Sequence, residues 1–158
     1  MIPKTRIAFP VLPALLLAGL LSACTPNLSP LYRDYEVPPV AEVESDLYED
    51  LRAAFQDAGW ELAPATTPNT IATETKTLNH WGLYRVVVSL EAAPLGDGYV
   101  RLYIHPYRIY FTGSRSKIPY LRGSIARAIL PKLNDAFEAR DLVLVGTAVE
   151  RDRVATRR

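Results

Sequence analysis

The chain is poor in the residues that most often carry chemistry. Among its 158 residues are one cysteine, Cys24, and two histidines, His80 and His105. A lone thiol has no intrachain disulfide partner, so burial alone must hold the fold together. Two histidines so far apart lack the paired spacing of a zinc site. Charge of either sign is also scarce in net terms. The formal total is +1, and setting aside Lys4 and Arg6 near the start leaves 16 basic against 17 acidic side chains. That balance excludes general nucleic-acid binding, which needs a strong basic excess. It equally excludes broad electrostatic adhesion of the whole chain to anionic lipid. No apolar run is long enough to span a bilayer. The one near the N-terminus covers about fifteen residues, includes Pro10, Pro13 and Gly19, and falls short of the roughly twenty required.

Hydrolase and phosphate-binding signatures are missing too. Ser89, Ser114 and Ser116 are available as nucleophiles, but none lies in a nucleophile-elbow sequence. Asp46, Glu49 and Asp50 cluster where they favour a helix N-terminus, so their pairing needs no catalytic explanation. Gly113-Ser114-Arg115-Ser116-Lys117 lacks the second glycine and the Gly-Lys-Ser/Thr ending of a P-loop. Its simpler reading is a loop capped by Ser116. The expectation is a protein that is not an enzyme and that needs neither cofactor nor metal.

What the sequence does carry stands at its start. Lys4 and Arg6 precede an apolar stretch from Val11 to Leu21, which ends in Leu21-Ser22-Ala23-Cys24. A basic start, a short apolar run and small residues before a cut describe an export signal. With the cysteine next, the arrangement resembles the lipobox of bacterial lipoproteins. The resemblance covers only these two dozen residues. It implies a diacylglyceryl group on the Cys24 thiol, fatty acyl chains such as palmitate, and removal of residues 1–23. Thr25 stands where an aspartate would signal inner-membrane retention in that family. Its presence implies the periplasmic side of the outer membrane, or the cell membrane in an organism with one membrane.

Beyond Cys24 the length fits one small domain. Residues 24–43 read as a lipidated tether, because Pro26, Pro30, Pro38 and Pro39 forbid helix and resist sheet pairing. Leu31, Tyr32, Tyr35 and Val37 are too apolar for a pure spacer and must pack on the domain or on a partner. Residues 44–149 form the domain. Its first helix is expected over 45–58, with Ser45 as N-cap, a stripe of Leu47, Leu51, Ala54, Phe55 and Ala58, and Gly59 as the left-handed cap. Strands follow over 70–77, 83–92 and 99–111. Leu121, Ile125, Ile129, Leu133 and Phe137 then make an i, i+4 series over 119–139, in which Pro131 either kinks one helix, as the continuous stripe favours, or separates two. A last strand covers 142–149, and residues 150–158 form a charged tail expected to be disordered. The fold class is α+β, a two-layer sandwich of an antiparallel sheet with helices on one face. Small α+β domains of this outline occur in envelope-assembly lipoproteins, an analogy of architecture only.

One local conflict stands out. Val100, Leu102 and Ile104 share one parity, whereas Ile109 and Phe111 have the other, so a bulge near His105-Pro106 is expected to restore the pattern. The face opposite the core would then carry Arg85, Arg101, Tyr103 and His105. Tyrosine and arginine combine contact area with hydrogen bonding, so these four are the candidate partner- or ligand-binding residues. On this reading, truncating Arg101 or Tyr103 spares the fold, while Leu102→Ala damages it. The expected function is a lipid-anchored envelope protein with a non-catalytic interaction domain serving envelope assembly or maintenance, its partner an envelope protein or a glycan. The alternatives are a small-ligand or glycan-binding module using the Tyr/Arg face and a cell-wall-associated hydrolase.

Overall fold

The computed structural model describes residues 28–37, 44–64, 67–95 and 98–147, with backbone alone for 44–46, 80 and 81. The signal segment, Cys24 and the charged tail lie outside the described residues. So do the side chains of the expected Ser45 cap and of His80 and Trp81.

The spine of the molecule is one long hairpin. β5 (Tyr84–Leu95) and β6 (Tyr99–Tyr110) pair antiparallel along their whole lengths, from Tyr84 opposite Tyr110 to Leu95 opposite Tyr99. Each edge of the hairpin is shared by two shorter strands. On the β5 side, β3 (Ile71–Thr73) pairs near the β5–β6 turn and β4 (Lys76–Trp81) pairs the far half. On the β6 side, β1 (Tyr32–Glu36) pairs near the turn and β7 (Arg115–Lys117) pairs the far half. β2 (Leu62–Ala63) extends the sheet beyond β3, and β8 (Val143–Gly146) extends it beyond β1. Two helices, α1 (Glu44–Asp57) and α2 (Gly123–Glu138), pack on one face, giving the expected α+β sandwich.

The helices form for the reasons their stripes imply. Leu51, Ala54, Phe55 and Ala58 of the first apolar stripe are buried, as are Ile125, Ile129, Leu133 and Phe137 of the second. Across from them the sheet offers Val86, Val88, Leu90, Ala92, Val100, Leu102 and Ile104, the inward residues of β5 and β6. Gly59, at φ +79°, ends α1. The Trp60 amide donates to Phe55 O and the Gly59 amide to Gln56 O, both at 2.8 Å, the paired bonds of a Schellman cap. α2 runs unbroken through Pro131, which sits exposed on the solvent side. Its missing amide bond is therefore taken on the face where water can serve the freed carbonyl.

Four expectations need correction. First, the tether does not extend to residue 43. Residues 32–36 form a strand between β6 and β8, so the tyrosines there pack on the domain itself. Tyr35 is fully buried, its ring edge-on to Phe137 at 4.6 Å. Its hydroxyl donates to Asn134 Oδ1 at 2.8 Å. Burial holds this phenol well above its usual range, so it remains a donor. Prolines bracket this strand without entering it, which is why their density misled.

Second, the expected strand over 70–77 is two strands, broken between Thr73 and Lys76. The Glu74 amide there turns aside to Glu61 O. Third, Ser116 is no helix cap. It lies within β7, and α2 begins at Gly123 rather than at Pro119. The intervening chain is held by bonds from the Ile118 amide to Pro106 O and from the Leu121 amide to Ser29 O.

Fourth, there is no bulge at His105-Pro106, since β5–β6 pairing is regular from end to end. The proline fits because of the edge it faces. Ile104 donates outward to Leu31 O, so by alternation the missing Pro106 amide also points outward, into the gap between β1 and β7. Alternation then does continue. Arg108 takes the inward side, its guanidinium 5.7 Å from the Tyr84 ring centre, and Ile109 turns outward. Burial fades along the spine to permit this. Val88 and Ile104 are fully buried, whereas Tyr84, Arg108 and Tyr110 are half-buried.

Candidate functional site

The outward face of the sheet is built by the alternate residues of β1, β5 and β6. Tyr32, Asp34 and Glu36 stand beside Tyr103, Arg101 and Tyr99, which in turn oppose Glu91, Ala93 and Leu95. Farther along lie His105 opposite Ser89, Tyr107 opposite Val87 and Ile109 opposite Arg85. The structure therefore puts Arg85, Arg101, Tyr103 and His105 on one face but not in one cluster. Arg85 sits level with Ile109, six positions along β6 from Tyr103, or roughly 20 Å at strand rise.

Arg101 is committed to the fold. Its Nε and one terminal nitrogen donate to the two Asp34 carboxylate oxygens at 2.7 and 3.0 Å. The Asp34 side chain is 1% exposed, and the Tyr32 ring lies 4.4 Å from the guanidinium carbon. The hydrogen bond to Asp34 pushes the guanidinium above its ordinary range. This fork-to-carboxylate pair clamps β1 to β6, so the expectation that truncating Arg101 spares the fold is withdrawn. The sequence could not reveal it, because Asp34 sat in the supposed tether.

Tyr103 and His105 stack with ring centres 6.4 Å apart and planes 13° from parallel. His105 Nε2 approaches Glu91 Oε2 to 3.4 Å without hydrogen-bond alignment. Ser89, His105 and Glu91 are thus neighbours, the residue types of a hydrolase triad. They lie on an open sheet whose backbone amides belong to the ladder, and no hydrogen bond joins Ser89 to His105. Such a surface offers no aimed donors for an oxyanion. Among the described residues no group of three or more His, Cys, Asp or Glu could hold a metal ion. No described helix is long and apolar enough to cross a membrane.

Concave space occurs instead at the far end of the spine. A cavity of about 450 Å³ is lined by Leu83, Tyr84, Arg85, Ile109, Tyr110 and Phe111, with glycines 82 and 113 in its rim. It forms where the β4–β5 turn meets the β6–β7 turn, joined by a bond from the Phe111 amide to Leu83 O at 3.3 Å. Leu83 is 70% exposed and Phe111 80%. Beside them Arg115 lies over the Tyr107 ring at 3.6 Å. Arg85 is the one expected site residue that belongs to this tip. A smaller cavity of about 290 Å³ flanks Trp60 and Lys76. There the Lys76 ammonium donates to Gly59 O at 2.9 Å and lies 5.2 Å over the Trp60 ring, so it serves the α1 cap.

No family model matches this chain, and neither curated proteins nor solved structures give a match. The functional reading therefore rests on the residues themselves.

Proposed function

We propose that this chain is a lipid-anchored envelope protein whose α+β domain is a non-catalytic interaction module. The anchor reading rests on Cys24, the only cysteine, placed directly after Leu21-Ser22-Ala23. The observation that carries the module reading is the make-up of the outer face. Along it lie the Tyr32, Tyr103, His105 and Tyr107 rings, with Arg101 over Tyr32 and Arg115 over Tyr107. A band of this kind suits a macromolecular partner, since tyrosine and arginine anchor interfaces without a deep pocket. The anchor would place the domain at the outer membrane, facing the periplasm. In this reading the only attached group is the lipid on Cys24.

A small-ligand or glycan-binding reading is favoured by one observation, the Tyr- and Arg-lined cavity at the tip. Capture tests the two readings. The lipidated protein, carrying a photo-crosslinker at Tyr103 and in a parallel sample at Tyr110, is illuminated in native membranes. A protein adduct at Tyr103 supports the module reading. A carbohydrate adduct at Tyr110 alone moves the assignment to glycan binding. Mass spectrometry of the mature N-terminus checks the anchor. Acylated Cys24 is expected, and Cys24→Ala should abolish both the acyl mass and cleavage. An unmodified mature chain rejects the anchor.

A further inference from the structure

The chain is nearly neutral, but the fold sorts its charge. Neither 77–88 nor 104–118 contains an Asp or Glu, and together they supply Arg85, Arg108, Arg115 and Lys117. These segments are the far halves of β5 and β6 with β4, β7 and their turns. The acidic residues of the outer face, Asp34, Glu36 and Glu91, all lie nearer the β5–β6 turn. At the extreme tip Leu83 and Phe111 project from adjoining turns, both largely exposed. Tyr84, Tyr107 and Tyr110 stand just behind them. From the tip backward the order is apolar side chains, then tyrosines and cations. A bilayer surface presents the matching order, with acyl chains beneath an anionic headgroup layer in which tyrosine is at home.

The anchor enters from the same direction. β1 is antiparallel to β6, so the chain reaches it from the tip side, with Leu31 O bonded to the Ile104 amide. Leu31 lies seven positions from Cys24, and Phe111 seven positions from Ile104. A peptide of that length reaches at most about 25 Å, and a strand of that length rises roughly 24 Å. The chain bends at Leu31 and Ser29 O accepts from the Leu121 amide, so its reach toward the tip is shorter than this limit, which still keeps Cys24 close to the domain. Because β1 begins at Tyr32, only residues 25–31 lie between Cys24 and the sheet, so little chain remains to hold the domain away from the lipid.

We propose that the tip formed by the β4–β5 and β6–β7 turns is a second membrane contact, seating Leu83 and Phe111 in an anionic phospholipid surface with Arg85, Arg115 and Lys117 at the headgroups. The proposal rests on the anchor reading. It fixes how the domain stands: tip down, β5–β6 turn and β8 directed away from the bilayer. Attraction by three or four cations is short-ranged, so a neutral molecule can still carry a lipid-directed end.

The test uses the full lipidated protein in vesicles of phosphatidylethanolamine with about 30% phosphatidylglycerol, a composition chosen for its negative surface. Acylation blocks Cys24, so an introduced cysteine is the only thiol to label. Thr112→Cys places an environment-sensitive fluorophore between the two turns, and Val143→Cys places one on β8 at the opposite end. Strong quenching of the Thr112 probe by lipid-borne quenchers, with none at Val143, is the expected result. Arg85→Glu and Arg115→Glu should each lower the seated-to-unseated ratio about fivefold or more, a loss that salt mimics. Equal quenching at both positions in fully acylated protein overturns the proposal. So does shielding of the Thr112 probe that appears only when envelope proteins are added, which would assign the tip to a protein. Failure of the anchor reading is read separately, because an unacylated Cys24 takes up a second equivalent of label.

Discussion

The two halves of the β5–β6 hairpin use the same alternation of residues to opposite ends. Near the turn, β3 and β1 flank the spine, the helices cover one side, and an Arg–carboxylate pair closes the other. At the far end β4 and β7 are the flanking strands, the last inward residues Tyr84, Arg108 and Tyr110 are half-buried, and Leu83 and Phe111 face solvent. One half is sealed by burial on one face and charge pairing on the other. In the second, every charged side chain is a cation, and burial persists at Val86 and Val87 but is lost at Leu83 and Phe111. The difference teaches that periodicity reports pairing, while burial depends on what lies across the sheet.

Tyr35→Ala is the strongest test of the sealed half. It removes a fully buried ring packed on Phe137 and leaves Asn134 without its donor. A loss of about 3–5 kcal/mol is expected in chemical denaturation. Tyr110→Ala, its counterpart at the far end, removes a half-buried ring 5.9 Å from Tyr84 and should cost about 1 kcal/mol. Similar losses at the two positions would erase the distinction between the halves.

Charge provides the next comparison. Arg101→Ala leaves the buried Asp34 carboxylate without its guanidinium. The Arg101 side chain keeps 27% of its exposure, so the cost should fall below the full penalty for a buried pair, at about 2–3 kcal/mol. Replacing Asp34 and Arg101 together by alanine should recover part of that loss, giving a measurable coupling in a double-mutant cycle. Arg85→Ala, on the exposed cation at the other end, should change stability by about 0.5 kcal/mol or less. A purely additive cycle would mean that the clamp contributes nothing specific.

Much of the sealed half was legible in the sequence, for definable reasons. The stripe from Ile125 to Phe137 and the Gly59 cap are local patterns, and local patterns survive folding. The β5–β6 pairing was legible because both strands alternate over many residues. β1 was not, since five residues between prolines carry too little pattern to outweigh them, and its partners lie some 65 to 110 positions away. Asp34 was hidden with it, and so the true role of Arg101 was hidden as well. The parity change from Ile104 to Ile109 was visible but had two physical solutions, a bulge or a loss of cover. Only the position of the helices chooses between them. Of the four candidate binding residues, Tyr103 and His105 remain on the aromatic band and Arg85 belongs to the tip.

The smallest effect on stability should come from the side chains most exposed at the tip. Leu83→Ser and Phe111→Ser remove apolar groups that are already 70% and 80% exposed, so little buried surface is lost. Neither change touches the backbone bond between Phe111 and Leu83, which a serine makes equally well. Each variant should melt within about 0.5 kcal/mol of the parent, and the pair should be additive or nearly so. Removing two exposed apolar groups also lowers the tendency to self-associate, which light scattering of detergent-free protein can follow. A buried role for either residue would show as a loss of 2 kcal/mol or more, as in a large-to-small core substitution. That outcome would mean the far half is sealed like the near one. A near-neutral result leaves Leu83 and Phe111 as residues whose placement costs the fold little and which it does not need, the condition for a tip free to contact something outside the domain.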